Sequence, residues 1–150
     1  MNNILKKILF PFFIMLSFSG ISQSLEGIWH GEYTYTHLDG KKISSPTEVP
    51  INLKFILNED SSYTIYSAIK GSNAKGLDTT VITLVSGQFS KDSIYLEELE
   101  VIAPKDISPC LQKMALRINR KENNTELKGT WKSEAINCFS SGYIWFKKLK

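Results

Sequence analysis

Histidine is almost missing from this chain of 150 residues; His30 and His37 are the only two. Cysteine is limited to Cys110 and Cys138, and arginine to Arg117 and Arg120. Each shortage excludes something. Two cysteines with no histidine near them make half a zinc ligand set at best. His30 and His37 have opposite parity on one predicted strand, so they face opposite ways and build no metal or catalytic pair. No serine stands in a recognisable nucleophile motif beside a base. The positive charge is carried almost wholly by lysine, and the cluster Lys147, Lys148, Lys150 reads as a solvated strand end, not the basic footprint of a nucleic-acid binder. Helical periodicity is nearly absent. The sequence therefore offers no catalytic residue, no metal ligand and no cofactor site, and nucleic acid is not expected as a partner.

What is present begins with a leader. Lys6 and Lys7 precede the apolar run Ile8 to Phe18, and small residues follow at Ser19, Gly20, Ser22 and Ser24. This is the three-part pattern of a secretory signal peptide. The run is too short to cross a bilayer, which takes about 20 residues, and Pro11 interrupts it. Cleavage is expected after Ser22 or Ser24, so that residues 1–22 are the signal peptide and residues 23–150 a single domain. No cysteine lies near the cleavage region, which argues against a lipoprotein. Removing the leader takes away two lysines and no acid, and lowers the net charge from +3 to +1. The mature protein is expected in the periplasm or outside the cell, with no membrane span. In that setting the even cysteine count favours a Cys110–Cys138 disulfide. Closing that 28-residue loop is worth roughly 3–4 kcal/mol in the chain-entropy account.

Period-two alternation dominates the rest. Eight strands are expected, over Leu25–His37, Val49–Leu57, Tyr63–Ile69, Thr79–Phe89, Ile94–Ile102, Cys110–Arg120, Thr125–Ser133 and Gly142–Leu149. Turn signals separate them, among them Asp39-Gly40 and the prolines Pro46 and Pro50. In the fifth strand the pattern slips. Ile94 and Leu96 have one parity, Leu99 and Val101 the other, so either a β-bulge resets the phase or Glu98 points inward. No segment supplies a crossover helix, so neighbours should pair antiparallel. The fold class is all-β, and closure into an eight-stranded up-and-down antiparallel barrel removes both edges. Alternate connections of such a meander share one end, and the two cysteines lie in connections that do so.

Two Gly-x-Trp strands carry a resemblance. "GIW" (Gly27–Trp29) in the first strand resembles the signature of the calycins: lipocalins, fatty-acid-binding proteins and avidins. "LKGTW" (Leu127–Trp131) in the seventh is similar to avidin-type strand wording. The resemblance implies a barrel whose tryptophan plugs one end under a basic residue of the last strand, here Lys147 or Lys148. It departs from lipocalins in lacking arginine there and a helix after the last strand. Gly27, Trp29, Gly129 and Trp131 are accordingly expected to close the barrel. Tyr33, Tyr35, Phe55, Tyr63 and Trp131 fall on inward faces, where they either line an apolar pocket with hydroxyl handles or simply fill the interior. Two functions follow: a lipocalin-like carrier of a small apolar or amphipathic ligand, or a filled module of the bacterial envelope that contacts another protein. A barrel hydrolase or isomerase is the least favoured alternative.

Overall fold

The computed structural model describes residues 24–38, 41–72, 78–105, 110–121, 124–134 and 138–150. The proposed leader and the Asp39-Gly40 turn lie outside them. The strands are β1 (Gly27–Leu38), β2 (Lys41–Lys42), β3 (Glu48–Leu57), β4 (Tyr63–Ser72), β5 (Asp78–Phe89), β6 (Ser93–Ala103), β7 (Lys113–Lys121), β8 (Asn124–Ser133) and β9 (Ser140–Lys148). The two-residue β2 is a short return onto the end of β1, at His37 and Leu38. The other eight run in chain order, each antiparallel to the next. β9 then pairs antiparallel with β1, from Trp29↔Lys148 to Leu38↔Ser140, and the sheet closes. The protein is an eight-stranded up-and-down β-barrel.

Alternation explains the strands. Ile51, Leu53 and Phe55 on β3 are buried, while Asn52 and Lys54 between them are exposed. The same rhythm buries Met114, Leu116 and Ile118 on β7 and Ile144 and Phe146 on β9. Each such side chain gains about 1.5–3 kcal/mol by leaving water. The turn between β3 and β4 is built from side chains: Asp60 accepts the Ser62 amide and hydroxyl, and Ser61 takes the left-handed conformation at φ 66°.

The two ends of the barrel differ. At one end, tight turns join β3 to β4 and β5 to β6, and Trp29 lies fully buried. Its indole N–H donates to the Leu25 carbonyl at 2.8 Å, and its ring meets Phe55 edge-on. Lys148 supplies the basic group, with Nζ 5.9 Å from the Trp29 ring centroid and 2.9 Å from the Ser24 carbonyl. Gly27 makes this possible. It sits at φ +121°, and a Cβ there would come within 3.2 Å of the Lys148 stem.

The opposite end carries the longer connections. Cys110 and Cys138 lie here and are joined by a disulfide, with Cα atoms 5.5 Å apart. The bond fits an oxidising compartment. Among the described residues, no helix is long and apolar enough to cross a membrane.

One strand starts later than the pattern suggests. The Cys110–Arg120 alternation implies a strand from Cys110, but β7 begins at Lys113. The β6–β7 ladder ends at Glu97↔Lys113. Beyond it the Glu98 amide still donates to the Gln112 carbonyl, but the Gln112 amide donates to the Glu98 side chain instead of returning a ladder bond. A carboxylate has replaced a backbone acceptor, and pairing stops there.

Candidate functional site

The alternatives raised by Glu98 turn out to be joint. Ile94, Leu96 and Glu98 are all buried on one face of β6. The pairing with β5 then skips a residue: Val85 faces Glu98 and Leu84 faces Glu100, which leaves Leu99 outside the ladder and exposed. The bulge follows Glu98 and does not spare it. It lets a carboxylate enter the barrel and returns Val101 to the inner side afterwards.

Glu98 is 4 % exposed. An inward carboxylate needs partners, and three segments bring them: β4, β5 and the residues just before β7. Ser67 on β4 and Thr83 on β5 both donate their hydroxyls to Oε1, Thr83 at 2.9 Å, and the two hydroxyls lie 2.6 Å from each other. The Gln112 backbone N–H donates to Oε2 at 3.0 Å. Gln112 itself is 5 % exposed, and its side-chain Oε1 has no partner among the described residues. Ser133 at the end of β8 is buried too, and donates to the Leu111 carbonyl at 2.9 Å.

An aromatic wall stands over this polar floor. Tyr33, Tyr35 and Trp131 meet edge-to-face, with ring centroids 5.0–5.4 Å apart. The Trp131 indole N–H donates to the Thr34 carbonyl at 3.1 Å and so crosses β9 to reach β1. The Tyr33 hydroxyl lies beside Tyr35 and Gln112, and burial, reinforced by Tyr35, pushes its pKa well up.

The five aromatic candidates therefore divide. Tyr33, Tyr35 and Trp131 gather at the disulfide end. Phe55 and Tyr63 lie at the Trp29 end, in contact with each other at 5.9 Å, and Tyr63 also meets Phe89. Gly27 pairs with Phe55 and Tyr33 with Val49, so six residues of β1, about 20 Å, separate the two groups. The closing residues divide the same way, with Gly27 and Trp29 at one end and Gly129 and Trp131 toward the other. The expectation that His30 and His37 face opposite ways fails: β1 shifts register against β9 between Tyr35 and His37, so both histidines lie on the exposed side, His30 hydrogen-bonded to Asn52 and His37 to Thr36. Among the described residues no three His, Cys, Asp or Glu side chains assemble as a metal-binding group.

Sequence reasoning singled out none of Ser67, Thr83, Gln112 and Ser133, although Ser67 shares the parity of Tyr63 on its strand. Thr83 is hidden in a β-branched run where parity carries no contrast. Gln112 shares the parity of Met114 and Leu116, and that was the available signal.

Burial raises the Glu98 pKa, against the opposing pull of Ser67, Gln112 and Thr83. A carboxyl that is harder to ionise when folded binds its proton more tightly in the native state. Its stabilising contribution is full below its ordinary value of 4.5 and is lost as pH rises through the higher native value. Asp60, Glu126 and Glu134 are shifted down by their hydrogen-bonded neighbours and act in the opposite sense. The clean readout is therefore a difference. Relative to Glu98→Gln, the unsubstituted protein should lose stability as pH rises above the ordinary carboxyl value of 4.5, in urea midpoints measured from acid to neutral pH. Parallel curves would show that Glu98 ionises as freely in the barrel as in the unfolded chain.

In class the protein is a small closed antiparallel β-barrel with a buried polar cluster under aromatic rings at its disulfide end. Compared with known proteins, the chain matches no family model and no curated sequence.

Proposed function

We propose that this barrel is an exported, lipocalin-like carrier that takes one small amphipathic ligand through its disulfide end, and that it is a binding protein, not an enzyme. The observation that carries this reading is the buried cluster of Ser67, Thr83, Glu98 and Gln112. A barrel that only needed filling would be more stable with apolar residues at these positions. Polar groups converging inside an apolar cavity wall are the usual make-up of a ligand site. Gln112 Oε1 offers a ligand an acceptor, and Tyr33, Tyr35 and Trp131 offer it apolar faces. Binding then requires those rings to part.

The three-ring contact also favours a second reading: a filled barrel that serves the envelope as an interaction module. Native mass spectrometry of protein purified from its own host separates the two. The carrier reading expects a bound mass of a few hundred daltons that denaturation releases. Bare polypeptide, or polypeptide with a co-purifying protein and no small molecule, would overturn it.

A further inference from the structure

The outer face of the barrel carries a second feature. Scattered exposed apolar residues are ordinary. Here three aromatic side chains share one stretch of outer surface: Tyr95 on β6, Tyr143 and Trp145 on β9, exposed by 36 %, 65 % and 38 %. The ladders align them. Tyr95 pairs with Ala115, Ala115 with Thr130, Thr130 with Tyr143 and Tyr143 with Thr34, one continuous row across five strands. Ala115 and Thr130 are short, so the space between the two tyrosines is a trough of about 320 Å³. On the other side of Tyr143 lies a wider groove of about 830 Å³, bordered by Thr34, Lys128, Trp145 and Lys147.

The charges around these grooves answer one another. Lys113 lies 3.3 Å from Glu97, Lys132 2.6 Å from Glu134 and Lys128 2.9 Å from Glu126. A surface balanced in this way does not select a polyanion or an anionic membrane. It presents flat rings, threonine hydroxyls and polar heads of both signs. The ligand that matches is neutral, has a C–H face to lie on an aromatic ring and carries hydroxyls around its rim. That is a sugar ring. Tyr143 and Trp145 are two residues apart on one strand, about 7 Å, and Tyr95 is three strands from Tyr143, about 14 Å. The spacing suits several linked rings better than one.

We infer that the outer face of β6 to β9 is a binding site for a neutral oligosaccharide, stacked on Tyr143 and Trp145 and running toward Tyr95. The test is isothermal titration of protein purified from its own host with cellohexaose, maltohexaose and chitohexaose. At least one should bind. Tyr143→Ala and Trp145→Ala should each weaken it about tenfold or more, while the melting temperature of Tyr143→Ala stays near that of the unsubstituted protein because that side chain is 65 % exposed. Ile28→Ala, exposed at the Trp29 end of β1, should leave glycan binding unchanged; the carrier reading is tested by a retained small molecule and not by these sugars, so its failure and failure here are separate results. The inference is overturned if none of the three sugars binds up to about 10 mM, or if binding survives the Tyr143→Ala, Trp145→Ala double variant. It is equally overturned if the protein ignores all three and sediments with vesicles of anionic phospholipid.

Discussion

Gly142→Ala should cost the barrel upward of about 4 kcal/mol, a size reached by few single substitutions. The residue sits where β9 meets β1. A Cβ built on it would lie 1.6 Å from the Thr34 carbonyl oxygen and 3.0 Å from the Trp131 indole nitrogen. The oxygen belongs to the backbone, so no rotamer change relieves the contact, and only separating the two strands can. That separation would also break the Trp131 bond to the same carbonyl. A melting temperature lowered by roughly 15 °C is the expected result. Ser141→Ala next to it should change stability by no more than about 0.5 kcal/mol. A Gly142→Ala protein that melts with the unsubstituted one would mean that β1 and β9 are not held as closely as described. Gly129 is the same device one strand away, with a Cβ position 1.8 Å from the Ala115 carbonyl oxygen.

Trp29→Ala should be nearly as damaging, at about 3–5 kcal/mol by urea denaturation. The indole is fully buried, so its removal leaves a cavity against Phe55, and it strips the buried Leu25 carbonyl of its donor. Two companions divide the effect. Trp29→Phe keeps most of the packing and loses the N–H, which should cost about 1 kcal/mol for the hydrogen bond plus a smaller packing loss. Lys148→Met keeps the aliphatic stem over the ring and loses the ammonium, worth about 0.5–1 kcal/mol at a partly exposed site. If Trp29→Ala were no worse than Lys148→Met, the tryptophan would not be closing that end.

Strand positions, closure and the sharing of one end by Cys110 and Cys138 were legible because they rest on period-two contrast and on counting connections. The β3 alternation from Val49 to Phe55 is the clearest case: one face packs inward and the other meets water, and only Leu57 at the strand end leaves the inward face. What parity does not encode is height along the barrel. Tyr33 and Phe55 both point inward, yet register places them at opposite ends, so aromatic candidates that looked like one site became two. The fifth strand, β6, failed for a related reason. A bulge and an inward charge leave the same mark on an alternation pattern, and only the β5 pairing shows that Leu99 is skipped just after Glu98. Gly142 went unremarked because a glycine at a strand boundary looks like punctuation. Its meaning appears only once β1 lies beside it.

The pairing of β1 with β9 has a further consequence, for how the molecule comes into being. The Thr34 hydroxyl reaches the Tyr143 carbonyl across 109 residues of chain. Until β9 has emerged and docked, β1 presents one unpaired side, and the growing sheet presents another at each new strand. Contacts of such long sequence separation are slow to form, and open strand edges are the template for pairing with the wrong neighbour. The chain is thus vulnerable for most of its assembly and safe only at the end, which makes the rate of docking β9, as much as final stability, the quantity that decides how much folded barrel accumulates.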